Sequence, residues 1–123
     1  MRRADATFFR RDPFLRQLVT ALRPLRPQAI ILFGSRARGD ALAWSDYDVI
    51  VVRSTRLPFI DRLTRVSPYI RRLPRPVQVL VYTPDEFRRL LSDTFFGHIL
   101  QREGVVLYVG SRASQTLVSG GPG

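Results

Sequence analysis

The sequence contains no cysteine, no lysine and no long apolar run. Without cysteine, neither a disulfide framework nor a thiolate metal site can form. Because no apolar run approaches the roughly 18 residues that span a bilayer, we expect no transmembrane helix and no membrane partner. The N-terminal stretch MRRADATFFRRDPF is charged and lacks the apolar segment of a secretory signal. The sequence therefore predicts a soluble, cytoplasmic protein.

The charge is strongly positive: twenty basic residues, all arginine, stand against ten acidic ones, a formal net charge of +10. A basic excess predicts acidic partners such as nucleic acid, nucleotide phosphates or an acidic protein surface. However, complete replacement of lysine is typical of composition bias, and the arginines are scattered along the chain. Nucleic-acid binding is therefore an alternative that the sequence does not favour.

The length of 123 residues suits one compact domain, and a hydrophobic content of 45% is ordinary for a globular protein. We assign residues 1–109 to a single domain. Residues 110–123 are small, polar and glycine-rich, which predicts a flexible C-terminal tail.

Hydrophobic spacing predicts four helices and four strands that alternate along the chain. The helices are expected over 14–22, 57–72, 85–91 and 94–102, and the strands over 29–33, 48–52, 77–82 and 105–109. Asp12 before Pro13 is typical of a helix start, Pro68 is expected to kink or shorten its helix, and Thr83 with Glu86 forms a capping-box pattern. This alternation indicates an α/β or α+β domain.

Two carboxylates, Asp46 and Asp48, open the apolar strand that follows them. Alternate residues of an extended chain share a face, so both side chains point the same way, about 6–7 Å apart. Such a pair suits Mg²⁺, which takes one or two carboxylates and completes its shell with water and phosphates. The alternative is that both carboxylates cap neighbouring turns.

A Gly-Ser pair, Gly34 and Ser35, closes the preceding strand. Glycine allows a phosphate to approach the backbone, and the serine hydroxyl with nearby amides favours an anion. Arg36 and Arg38 add charge that can hold phosphate oxygens. The alternative is a plain turn with solvated arginines. Together with the two carboxylates, the pattern indicates a site for Mg²⁺ and a nucleoside triphosphate.

The segment GSRARGDALAWSDYDVIVV resembles the minimal nucleotidyltransferases of the DNA polymerase beta-like superfamily, whose signature is Gly-Ser, a short helix, then Asp-x-Asp on the next strand. The segments VQVLVYTPDEFRRL and ILQREGVVLY are similar to the third strand with its helix and to the closing segment of that family. The resemblance covers roughly residues 13–108. It implies a nucleotidyltransferase fold, with a short mixed β-sheet and helices packed against it.

The resemblance also implies an activity and a partner. Gly34 and Ser35 would hold the β- and γ-phosphates, and Asp46 and Asp48 would ligate Mg²⁺. The implied reaction transfers a nucleoside monophosphate, AMP from ATP, to a hydroxyl acceptor. Many members of the family pair, as antitoxin, with a small helical HEPN toxin, and some modify it. We therefore expect a HEPN-type partner in a homo- or hetero-oligomer.

One position departs from the family pattern. The family's third carboxylate, which completes the second metal site and helps to deprotonate the acceptor, corresponds to Gln78. An amide brings no charge and cannot act as a base, so catalysis is expected to be weak or lost. The alternative function is a nucleotide-binding antitoxin that neutralises its HEPN partner by docking. Asp40, Asp85 and Glu86 are candidate substitutes, although turn and capping roles explain them better.

Three other side chains have a structural and a functional interpretation. Trp44 could stack on a base, but covering the core or a partner explains it better. Tyr47 points away from the carboxylates and is expected in the core. His98 has no metal-ligand partners in its pattern and is expected on a helix surface. Four aromatic residues are expected in the core, with a partner-binding patch as the alternative: Phe8, Phe9, Phe95 and Phe96.

Overall fold

The computed structural model describes residues 1–110, so the predicted tail lies, beyond Gly110, outside the described residues. Within that range no helix has the length and apolar character needed to cross a membrane. The elements in chain order are β1 (Arg2–Arg3), α1 (Ala6–Arg11), α2 (Phe14–Leu22), a 3₁₀ turn (Arg23–Leu25), β2 (Ala29–Phe33), α3 (Ser35–Arg38), β3 (Tyr47–Val52), α4 (Phe59–Ile70), β4 (Val77–Tyr82), α5 (Pro84–Asp93), α6 (Phe95–Glu103) and β5 (Val105–Val109).

The five strands form one mixed sheet in the order β1-β5-β2-β3-β4. Strand β2 is antiparallel to both β3 and β5, whereas β4 is parallel to β3 and β1 is parallel to β5. The mixed sheet with helices packed against it confirms the predicted fold class. The register pairs Asp48 with Phe33 on one side and with Gln78 on the other. The end of β2 and the beginnings of β3 and β4 therefore meet at one end of the sheet.

Helices cover both faces of the sheet, and alternation along the strands divides the core in two. Ile30, Val49 and Val81 belong to a core that includes buried residues of α2 and α4, on what we call the α2 face. Ile31 and Ile50 belong to a second core with α5 and α6, on what we call the α5 face. By the same alternation, Tyr47 lies on the α2 face and Asp48 on the α5 face.

Most elements agree with the sequence-based prediction, and three details do not. Helix α4 begins at Phe59 because the extended backbone of Pro58 precedes it, and it continues through Pro68 to end at Ile70. Asp12 does not cap α2 with its side chain; its carboxylate accepts a hydrogen bond from Tyr47 instead. The prediction also missed β1 and α1, although Asp5 caps α1 by accepting a hydrogen bond from the Phe8 amide at 2.8 Å.

Candidate active site

Three polar side chains meet where β3 and β4 begin. Asp48 and Gln78 are register partners on neighbouring parallel strands, so their side chains share the α5 face. Asp46, two residues before Asp48, accepts a hydrogen bond at 2.8 Å from the amide nitrogen of Gln78 to its Oδ2. The structure therefore brings together the three residues that the sequence nominated as catalytic.

The turn at the end of β2 lies close to the Asp48 carboxylate. Gly34 has a φ of +73°, a conformation that L side chains rarely adopt, and it immediately precedes α3. A Cβ atom added at Gly34 would lie 2.6 Å from Asp48 Oδ2. A side chain at this position would displace the Asp48 carboxylate from its present place. Ser35, the first residue of α3, stands beside it, so the Gly-Ser turn and the Asp-x-Asp strand form one small surface.

The electrostatics of the carboxylate pair are unfavourable when no cation is bound. Burial, followed by the neighbouring Asp46 charge, raises the pKa of Asp48 above its ordinary value. Within residues 1–110 there is no cluster of three or more acidic, histidine or cysteine side chains that could hold a metal. Two carboxylates suit a hard cation that completes its shell with water and phosphate oxygens, so the donor set fits one Mg²⁺ ion. Gln78 adds only a neutral amide.

Arg36 points away from the carboxylates. Its guanidinium donates to the carbonyl oxygen of Ser45 at 2.9 Å and to that of Ala43 at 3.3 Å. It also lies 4.4 Å from the ring centroid of Tyr47, on the α2 face. Arg38 pairs with Asp40 at 3.1 Å and with Glu103 at 3.5 Å. Neither arginine is directed at Asp48, and their binding of phosphate stays a prediction.

The loop between α3 and β3 is held by contacts that the sequence did not reveal. Arg75 donates to the carbonyl oxygen of Ala43 at 2.6 Å and lies 5.7 Å from the Tyr47 ring centroid. The Tyr47 hydroxyl donates to Asp12 Oδ2 at 2.6 Å. Burial and the Asp12 carboxylate raise the pKa of Tyr47 to about 12. With Arg36, these contacts fix the segment that leads into Asp46, and no sequence motif marks Arg75 for this role.

The remaining candidates lie elsewhere. Asp40 pairs with Arg38, Asp85 with Arg88, and Glu86 with Arg62, so none of these carboxylates joins Asp46 and Asp48. Tyr47 is 1% exposed and belongs to the core, as expected. Trp44 is 76% exposed, so it does not cover the core of the described chain. His98 is exposed on α6, as expected.

The four phenylalanines that were expected in the core divide into two groups. Phe8, Phe9 and Phe96 are partly buried against the two cores, and Phe96 makes an edge contact with Phe33. Phe95 is 80% exposed, so for this residue the expectation of core packing is wrong. Phe95 is the first residue of α6, and its side chain is exposed at that end of the helix in the structure of residues 1–110.

The mixed sheet sets a Gly-Ser turn against an Asp-x-Asp strand, which is the arrangement that the sequence resemblance predicted. Residues 15–102 match the family model described as the nucleotidyltransferase domain. This match covers more than half of the chain, so the protein belongs to the nucleotidyltransferase-domain family. Among curated proteins, the search found no match.

Solved structures share this fold at low sequence identity. A Sulfolobus solfataricus protein described as a nucleotidyltransferase is 22% identical with a TM-score of 0.59, and the alignment covers 89% of this chain and 92% of that one. A toxin–antitoxin structure with AMP-PNP is 21% identical with a TM-score of 0.57, covering 85% of each chain. A mutant MntA–HpeT toxin–antitoxin is 21% identical with a TM-score of 0.54, covering 85% of this chain and 83% of that one.

Proposed function

We propose that the protein is a Mg²⁺-dependent nucleotidyltransferase that moves a nucleoside monophosphate, AMP from ATP, to a hydroxyl acceptor. The observation that supports this most is the position of Asp48. Its carboxylate is half-buried beside a second carboxylate, and it faces a backbone turn that lacks a Cβ. A bound cation would offset the repulsion between the carboxylates, and the phosphates of a nucleotide would complete the cation's shell.

Each residue of the site has a distinct part in this proposal. Asp46 and Asp48 would hold the cation, which, when bound, neutralises charge on the phosphates. Gly34 leaves the backbone open to the β- and γ-phosphates, and Ser35 offers them a hydroxyl. Because all of these groups are fixed by strand register and by the held loop, the chain contributes mainly by positioning the nucleotide.

The reaction itself is a displacement at the α-phosphorus. The acceptor oxygen forms a bond to that phosphorus, the bond from the α-phosphorus to the bridging oxygen breaks, and pyrophosphate leaves with the electron pair. The hydroxyl proton passes from the acceptor to solvent water, since Gln78 is an amide and cannot take it as a base. We therefore expect slower transfer than a carboxylate at position 78 would give.

A second candidate function follows from the same residue. Gln78 donates its amide hydrogen to Asp46, so it stabilises the charged carboxylate without adding a ligand charge. On this basis the protein would bind the nucleotide but act mainly as a cytoplasmic antitoxin that docks on a small helical HEPN-type partner. Two structures that share the fold are toxin–antitoxin complexes, which supports this proposal by similarity alone.

Transfer of label from α-³²P-ATP tests both candidates. Wild type, Asp48→Asn and Gln78→Asp are incubated with Mg²⁺, alone and with a co-expressed helical partner. Label in wild type that disappears in Asp48→Asn would support the transferase. Label in Gln78→Asp but not in wild type would support the docking antitoxin. Label that is insensitive to Asp48→Asn would contradict the role assigned to the carboxylates.

A further inference from the structure

A groove of about 390 Å³ lies between the N-terminal segment, which carries β1 and α1, and the short helix α3. Arginine is the most frequent residue in its lining, and three apolar side chains contribute to its wall. Its lining includes Arg2, Phe8, Arg11, Leu15, Arg36 and Arg38. The volume falls in the range of small-molecule sites, which is about 300–1,000 Å³.

The groove is separate from the carboxylates of the candidate active site, and it is lined by Arg36 and Arg38, which the sequence had assigned to phosphate binding at that site. Leu15 and Ala37, which line it, and Phe8, which packs beside them, belong to the core of the α2 face. Asp48 lies on the α5 face, because it alternates with Tyr47 along β3. The two sites therefore open on opposite sides of the sheet, with α3 between them.

The positive charge of the groove is poorly compensated. Of its four arginines, only Arg38 forms a salt bridge, and within residues 1–110 no carboxylate lies within 4.0 Å of the other three guanidinium groups. Arg2 stacks over the Phe8 ring at 5.4 Å. Arg36 donates only to neutral carbonyl oxygens. These contacts orient the side chains without neutralising them.

Two carboxylates also line the groove, and both are engaged within the fold. Asp5 accepts the hydrogen bond from the Phe8 amide that caps α1. Asp12 accepts the hydrogen bond from the Tyr47 hydroxyl. These neutral donors orient the two carboxylates and leave their charge in place. The lining therefore carries four guanidinium groups against two carboxylates, and this excess of positive charge favours an anion.

We propose that this groove binds a small molecule through a phosphate or pyrophosphate group. Guanidinium presents paired donors that match phosphate oxygens, and several such groups around one hollow give a directional site. The ligand can be free phosphate, pyrophosphate or a nucleotide, since all three carry the same chemistry. The proposal does not depend on the transferase activity, because neither Asp46 nor Asp48 belongs to the groove.

An NMR titration of the full chain without Mg²⁺ tests the proposal. Inorganic phosphate, pyrophosphate and AMP are added separately, and backbone amide shifts are followed. We expect saturable shifts in α1 and over residues 37–39 with at least one of the three anions. The anion that binds most tightly identifies the class of ligand. The double variant Arg2→Gln, Arg11→Gln should weaken that binding at least about tenfold, because each lost charged hydrogen bond matters.

The double variant Arg3→Gln, Arg10→Gln is the matched control. These arginines are exposed neighbours of Arg2 and Arg11 that do not line the groove, and the variant has the same net charge. Unchanged affinity in this control supports a specific anion-binding site in the groove. Equal weakening in both variants would mean general attraction to a basic protein, and an absence of α1 shifts with all three anions would overturn the proposal.

Discussion

Glu86, in the first turn of α5, and Asp48, on β3, are two partly buried carboxylates whose surroundings shift their pKa values in opposite directions. Glu86 lies near the end of β4, where hydrogen bonds from Arg62 lower its pKa to about 2. Asp48 lies at the beginning of β3, where burial and Asp46 raise its pKa. Because β3 and β4 are parallel, the two carboxylates stand at opposite ends of the sheet.

The difference separates a structural carboxylate from a functional one. Arg62 is buried and donates to both oxygens of Glu86 and to the carbonyl oxygens of Leu57 and Val81. Asp48 has no such cation within residues 1–110. A carboxylate held near a like charge in a partly buried position is typical of a site that a ligand completes.

The largest effect is expected when the buried arginine is removed. Arg62→Leu leaves the Glu86 carboxylate without its cation and two carbonyl groups without their hydrogen-bond donor. We therefore expect a loss of about 3 kcal/mol in the free energy of unfolding. Urea denaturation measures it. Arg65→Leu, an exposed position of the same helix, is the control and should change stability by less than about 0.5 kcal/mol. Equal losses would show that Arg62 is not a special contact.

A second effect is expected at the turn that faces Asp48. Gly34→Ala would place its Cβ 2.6 Å from Asp48 Oδ2, whereas Gly39→Ala, also at positive φ, would meet nothing within 4 Å. Both variants carry backbone strain, and it is larger at Gly34, whose φ of +73° and ψ of −158° are essentially restricted to glycine, than at Gly39, which is in the left-handed helical region. The strain and the clash therefore act in the same direction. We expect Gly34→Ala to be less stable than Gly39→Ala by about 1–3 kcal/mol and to lose Mg²⁺–ATP binding. Thermal unfolding and calorimetry would report this, and equal behaviour of the two variants would contradict the close approach.

The pH dependence of the free energy of unfolding should reveal the contribution of Glu86 to stability. Its folded-state pKa of about 2 lies below the ordinary value of 4.5. A lowered folded pKa stabilises the protein fully above the unfolded value, and that stability is lost as the pH falls from about 4.5 towards 2. Glu86→Gln should therefore flatten the acid limb of a stability–pH curve. The wild-type slope persisting in this variant would assign acid unfolding to other groups.

The smallest effect has the opposite sign. Asp48→Asn removes a carboxylate whose charged form the fold disfavours, so in the absence of metal it should raise the free energy of unfolding, by less than about 1 kcal/mol at neutral pH. Glu86→Gln should lower it under the same conditions. Differential scanning calorimetry with chelator present compares them. Destabilisation by both substitutions would mean that the two carboxylates do not differ as proposed.

Much of the fold could be predicted because its strands and helices carry strong local signals. The ranges of β2, β4 and β5 follow from apolar runs, and the capping box at Thr83 forms both of its hydrogen bonds. The first strand could not be predicted in the same way, since β1 is two exposed arginines that depend on pairing with β5. A strand of that kind has no hydrophobic pattern of its own.

The residues of the candidate site could be predicted from the sequence, but the contacts that hold the neighbouring loop could not. Alternation along β3 places Asp46 and Asp48 on one side, and strand register adds Gln78. The sequence could not show that Arg36 turns to the opposite face to hold the loop, because its neighbours Ala43 and Ser45 act through backbone carbonyls. Arg75 and Asp12 reach the same loop from distant segments. Such contacts depend on tertiary structure alone.

Calorimetric titration of ATP, with Mg²⁺ and with chelator, tests the central claim most directly. The proposed site predicts that Mg²⁺ strengthens ATP binding to the wild-type protein and that Asp48→Asn abolishes this gain. Binding that remains without Mg²⁺ in both proteins is expected from the arginine-lined groove. Equal affinity of the wild-type protein with and without Mg²⁺ would contradict the assignment of Asp46 and Asp48 as the cation's ligands.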